Sequence, residues 1–141
     1  MRIQFVIPCD PPKSTHQQNV RIFKKKNGKA FIGKSKTNKA ARDRALLTEL
    51  FREHAPASPL TGPLELFVRW TYPYRKAEPR KNRHAPKPCD KRPDCDNLAK
   101  GLQDVMTELG FWGDDGQIWA LSFRKQWGVT PGIEVIITQT Q

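Results

Sequence analysis

Five apolar residues, Leu98, Leu102, Val105, Met106 and Leu109, recur at i, i+4, i+7, i+8 and i+11. That spacing is one face of a 3.6-residue period, so it commits this part of the chain to an amphipathic helix with the face buried. A short oxygen-bearing side chain at Asp96 or Asn97 suits the cap of the first turn, and Gly110 suits the left-handed position after the last. The predicted helix is 97–109. Acid pairs flank it, Asp94 and Asp96 before and Asp114 and Asp115 after. If residues 92–95 are extended, Asp94 and Asp96 project to one side with the alternation of a strand and can share a cation. Lys100 lies one turn beyond Asp96 and Asp104 one turn beyond Lys100, all on the polar side. Phe111 and Trp112 are expected to anchor the returning chain in the core and to present Asp114 and Asp115 so that they close the site. Taken singly, each acid also suits a helix cap, a turn, or an exposed pair with Lys100.

The field around these acids is positive. The chain has 25 Lys and Arg against 14 Asp and Glu, a formal net charge of +11, which favours a nucleic acid over an acidic protein or a small metabolite as partner. Carboxylates grouped inside such a field point to metal chemistry on a polyanion. No stretch approaches the roughly 20 apolar residues that span a bilayer, so no membrane partner is expected. The opening MRIQFVIP lacks the continuous apolar run of a signal peptide, and a cytoplasmic location is expected.

A length of 141 residues suits one domain with one core, and 37% hydrophobic residues with four tryptophans exclude a wholly disordered chain. Ile3, Phe5 and Ile7 alternate in a first strand that Asp10-Pro11-Pro12 ends, and 13–19 reads as loop. Asn27-Gly28 between 20–26 and 29–33 signals a hairpin. Lys24, Lys25 and Lys26 belong to its basic arm, read either as a DNA contact or as a solvated hairpin. Ser35 or Thr37 is expected to cap a helix reaching about His54, with Ala41, Ala45, Leu46 or Leu47, Leu50 and Phe51 inward. Leu64, Leu66, Val68, Trp70 and Tyr72 alternate with less apolar neighbours and predict a central strand.

Residues 73–92 turn to Pro, Lys and Arg, including Arg83, Lys87, Lys91 and Arg92. This is read as a long mobile loop that grips backbone phosphates without reading bases and orders on DNA, the alternative being an inert linker. Beyond the central helix, 117–127 predicts a strand with Trp119, Leu121, Phe123 and Trp127 on one face, and Ile133, Val135 and Ile137 predict the last. The order implies a single α+β (mixed α/β) domain over 1–141, a small mixed sheet with an N-terminal hairpin and two helices packed on it. Cys9, Cys89 and Cys95 are odd in number with no C-x-x-C, which supports neither a disulfide framework nor structural zinc. His16, His54 and His84 receive no catalytic role.

The pattern D94-x-D96-N97-L98-x-K100, then Asp104, then G110-F111-W112-x-D114-D115-x-Q117 resembles the RusA-type Holliday-junction resolvases, often carried by phages and prophages. The match is specific over about 92–127. The resemblance implies a homodimer that cuts four-way DNA junctions by paired symmetric nicks in recombination and repair, leaving 5′-phosphate and 3′-hydroxyl ends. It implies Mg²⁺, with Mn²⁺ as a substitute, held by carboxylates, and no small-molecule cofactor. The essential residues carried over are Asp94, Asp96, Lys100 and Asp115, with Asp114 as a further candidate ligand. Lys100 would also serve as a phosphate contact. Mg²⁺ suits hard oxygen ligands, keeps several waters and neutralises charge growing on phosphorus. Cys95 stands where a larger apolar residue is common in the family, and the 73–92 loop is longer than in its shortest members. Two other readings stay open from the residues alone: a nuclease acting on other branched DNA, and a non-catalytic DNA-binding module.

Overall fold

The structure, a computed structural model, describes residues 1–13, 20–24, 28–34 and 39–141. Strand β1 (Arg2–Pro8) is followed by β2 (Val20–Lys24) and β3 (Ala30–Lys34), helix α1 (Lys39–Arg52), β4 (Leu64–Pro73), β5 (Lys87–Pro88), α2 (Cys95–Glu108), β6 (Ile118–Gly128) and β7 (Gly132–Gln139). The main sheet has five strands in the order β1-β7-β4-β6-β5, and β2-β3 form a separate antiparallel ribbon. Ribbon pairing ends at Lys24 with Ala30, so its connection is longer than a two-residue turn, and Gly28 takes a positive φ of 83° there. Lys25 and Lys26 lie outside the described residues, as do Ser35 and Thr37.

Strand β4 is central and carries the expected alternation, with Leu64, Leu66, Val68, Trp70 and Tyr72 buried. It pairs antiparallel with β7 and parallel with β6. Parallel neighbours need a long crossover, and the segment containing β5 and α2 supplies it. The chain therefore leaves β4 at one end of the sheet and descends along α2. It re-enters at the other end to begin β6. Leu98, Leu102, Val105 and Met106 press the helix onto the sheet, and Phe111 and Trp112 are buried behind it, as their spacing requires.

Three expectations need correction. Helix α2 begins two residues early, at Cys95, with Asp94 rather than Asp96 or Asn97 at the cap position. Helix α1 buries Ala40, Leu47 and Phe51 while Ala41 and Ala45 are exposed. Small alanines contribute little to a periodicity signal, so the stripe was displaced by one residue. The face of β6 is covered only at its end: Trp127 is buried, but Trp119 and Leu121 are 59% and 46% exposed.

Candidate functional site

The segment 73–94 delivers Asp94 and is more structured than its composition suggests. Residues Arg80–Asn82 form a 3-10 turn, and β5 pairs Lys87 with Trp127 and Pro88 with Gln126. Arg83 is a staple within it: its guanidinium donates to the carbonyls of Glu78 at 2.9 Å, Arg75 at 3.1 Å and Lys76 at 3.2 Å. Lys87 pairs with Glu78 at 3.3 Å, and exposed Lys91 lies 4.0 Å from Asp90. Arg92 and Lys100 form no ion pair among the described residues, so their charge is free for an external anion. Lys24 ends β2, some distance in sequence from this segment.

Two contacts fix where α2 starts. Lys125 of β6 donates through Nζ to Pro93 O at 2.5 Å and also to Lys91 O, while Cys89 N donates to Lys125 O at 3.0 Å. This places the Arg92–Asp94 turn against the far end of β6. Asp94 then caps the helix in an extended conformation, its side chain making no cap hydrogen bond, and Asp96 sits in the first turn. The extended 92–95 stretch expected to align the two carboxylates is replaced by a cap and a helical turn. Asp94, Asp96 and Lys100 are all exposed, and no Asp96–Lys100 ion pair forms.

Beside Asp94, a depression of about 290 Å³ is lined by Lys13, Arg92, Pro93, Asp94 and Asn97. Its N-terminal wall is anchored by the Tyr72 hydroxyl, which donates to Pro12 O at 3.1 Å. Burial pushes the Tyr72 phenol far above its ordinary range, so it remains a donor.

The second acid pair is organised by Gln117. Its Oε1 accepts from Gly113 N at 2.9 Å and Asp114 N at 3.1 Å, and its Nε2 donates to Leu60 O at 3.1 Å and Gly62 O at 3.0 Å. Asp114 in turn accepts from Gly116 N at 3.0 Å. The loop is thereby clamped to the segment that leads into β4. Gly116 N–H and a hydrogen bond from Asp115 hold the Asp114 carboxyl below the usual range. Asp115 is raised, first by its hydrogen bond to Asp114, then by slight burial and by the charges of Asp114 and Asp104. The opposite directions mean that, as pH falls, Asp115 takes up a proton before Asp114 does.

The two pairs do not meet within one chain. Asp94 stands at the start of α2, by the end of β6, whereas Asp114 and Asp115 stand at the start of β6, near Asp104. Ten helical residues from Asp94 to Asp104 span about 15 Å at 1.5 Å per residue. Among the described residues no three acidic, histidine or cysteine side chains gather into a metal-holding group. The expectation that Asp114 and Asp115 close a site around Asp94 and Asp96 fails for a single chain, because the helix between them is a rigid spacer. Each pair nevertheless offers hard carboxylate oxygens, the donor type that Mg²⁺ takes with waters and phosphate oxygens completing its shell. Sequence reasoning missed Gln117 and Lys125 as organisers. Gln117 stood in the motif without a role, and nothing in the alternation of β6 marked Lys125.

The family model for endodeoxyribonuclease RusA matches residues 10–138. The chain belongs to the endodeoxyribonuclease RusA family. The RusA match includes both acid pairs, Lys100 and both organising residues. Over 48 residues the chain is 48% identical to the crossover junction endodeoxyribonuclease rusA of Lactococcus phage r1t, covering 34% of this chain and 37% of that protein. Over 94 residues the chain is 32% identical to the uncharacterized protein YqaN of Bacillus subtilis strain 168, covering 62% and 65% of the two. The aligned stretches thus span less than two thirds of either relative. Among the described residues no helix is long and apolar enough to cross a membrane.

Proposed function

We propose that this protein is a Mg²⁺-dependent, structure-specific endodeoxyribonuclease that resolves four-way DNA junctions by paired symmetric nicks, working as a homodimer in the cytoplasm in recombination and repair. The observation that carries the reading is the first turn of α2. There a RusA-type D-x-D-N-x-x-K run is displayed to solvent beside the unpaired cation Arg92, in a chain of net charge +11. Asp94, Asp96 and Asp115, with Asp114 as a further ligand, would hold the ion, and Mn²⁺ would fit the same oxygen donors. When bound, the ion supplies water activation and neutralises charge building on phosphorus.

The chain's own residues do the rest. Arg92 and Lys100 receive backbone phosphate, and Lys91 adds to that field; such contacts hold a branch in place without reading its sequence. Lys24, Lys25 and Lys26 are further candidate DNA contacts by their charge. Arg83 and Lys87 act one step back, by keeping the loop that presents Arg92 in shape. Lys100 is set to stabilise the non-bridging oxygens of the scissile phosphate, with hydrolysis leaving 5′-phosphate ends.

Asp94→Asn separates binding from chemistry. On a labelled junction it is expected to abolish Mg²⁺-dependent cutting and, without metal, to bind at least as tightly as wild type, since one repulsive charge is gone. A variant that still cuts at the wild-type rate removes Asp94 from the chemistry.

A further inference from the structure

We propose that Lys13 is a substrate-positioning residue: with Arg92 it makes a two-cation site, in the depression beside Asp94, for a backbone phosphate flanking the one that is cut. This rests on the nuclease reading above and adds a residue that the sequence left in a loop without a role.

The depression, about 290 Å³, draws its walls from separate parts of the chain: Lys13 after β1, Arg92, Pro93 and Asp94 ahead of α2, and Asn97 in the first turn of that helix. The space is many times the ~30 Å³ that a water takes up in the liquid, so a hydrated phosphate with its sugar can enter. Two of the five lining side chains are cations and one is an anion.

Both cations stand on backbone that is held in place. Pro11 and Pro12 are buried and their rings fix φ on the way into Lys13, while the buried Tyr72 of the central strand donates to Pro12 O at 3.1 Å. On the opposite wall, Lys125 Nζ donates to the carbonyls of Lys91 and Pro93, the residues on either side of Arg92. Only the side chains are left to order on binding, which keeps the entropic cost of a contact low.

Neither cation has an acid of its own. Arg44, Arg52, Arg69, Lys87 and Lys91 face carboxylates, and Arg83 directs its donors to carbonyls of its own loop. Lys13 and Arg92 are exposed and form no ion pair among the described residues. Two like charges turned to one space repel unless an anion lies between them, and the two free oxygens of a phosphodiester accept from an ammonium and a guanidinium together. Asp94 is a wall of the depression and also a candidate ligand of the ion, so a phosphate held there is a near neighbour of the scissile one. Lys100 lies outside the depression, which leaves it for the scissile phosphate itself.

Junction binding in EDTA, where nothing is cut, tests this on Lys13→Met, Arg92→Met and the double variant, with Arg52→Met removing the same charge at the end of α1. At low salt Lys13→Met is expected to bind about tenfold more weakly than wild type, Lys13→Arg to keep most of the affinity, and Arg52→Met to stay within about twofold. Two cations on one phosphate make the losses non-additive, so the double variant should lower the slope of log K against log salt by about one; a fall of about two means separate phosphates and overturns the shared site. A single uncharged methylphosphonate, moved through the positions flanking the mapped cut, locates the contact. At one position wild type should drop to the level of the double variant, and the double variant should lose nothing more. The absence of such a position, a Lys13→Met that binds like Arg52→Met, or a Lys13→Arg as weak as Lys13→Met overturns the inference, and the nuclease reading stands if wild type still nicks the junction. A wild type that cuts no junction overturns both.

Discussion

Gln117→Met keeps the length and much of the volume of the side chain but removes all four hydrogen bonds that fix the Asp114–Asp115 loop. At a net ~0.5–1.5 kcal/mol per hydrogen bond, four would total roughly 2–6 kcal/mol. The total is not reached, because Gly113 N, Asp114 N and Gly62 O are exposed and water replaces the amide there. Only the bond to Leu60 O is partly buried, and leaving that carbonyl unsatisfied dominates. The expected loss is about 1–2 kcal/mol, or roughly 3–6 °C in Tm for a domain of this size. Chemical denaturation of both proteins measures it. Junction cleavage should fall far more than stability does, since an unclamped loop no longer holds Asp115 in place, and a misplacement near 1 Å costs on the order of 100-fold in rate. A variant within about 0.3 kcal/mol of wild type that cuts at the wild-type rate would refute the assigned role of Gln117.

Lys125→Met frees the carbonyls of Lys91 and Pro93; cleavage should drop at least tenfold, and hydrogen exchange at the first turn of α2 should quicken, whereas unchanged exchange there would dismiss Lys125 as an organiser. Gly132→Ala places a Cβ 2.7 Å from the backbone oxygen of Ile7, so denaturation should show a loss of about 1–3 kcal/mol, and a neutral substitution would mean that β1 and β7 separate easily. Burial, reinforced by the charge of Asp10, pushes the Cys9 thiol up to about 11. At pH 8 only about one Cys9 in a thousand is then thiolate, and its alkylation followed by mass spectrometry should rise about tenfold per pH unit up to that value; a rate that levels off below pH 9 contradicts the shift.

The parts legible in the sequence were those set by local periodicity. The alternation of Leu64 to Tyr72 specified the central strand, and the 3.6-residue recurrence from Leu98 specified α2 and its buried face. Gly110 at φ 82° ends that helix as its lack of a side chain allows. Alanines misled the reading of α1 because burial of so small a side chain leaves little trace in composition. The candidate site was legible in its residue types and not in its geometry. Asp96 and Asp114 look close in a linear motif, but the helix between them is a rod of fixed rise, and the crossover that joins parallel β4 and β6 must set its two ends at opposite ends of the sheet. Gln117 and Lys125 escaped notice for a related reason. Each acts on backbone groups distant in sequence, Leu60 and Gly62 for one and Lys91 and Pro93 for the other, and such contacts exist only once the sheet has assembled. Arg83 shows the converse, since a basic residue in a basic loop reads as a DNA contact until its donors are seen on carbonyls of its own loop.

The most direct test of the nuclease account is to incubate the purified protein with a labelled four-way junction, a linear duplex and a flap, each with Mg²⁺ or with EDTA, and to map the products at nucleotide resolution. The account predicts symmetric, Mg²⁺-dependent nicks on two opposed strands of the junction, with duplex and flap intact and Asp94→Asn inert. Binding without cleavage of any substrate would contradict it and leave the carboxylates as structural parts of a DNA-binding module.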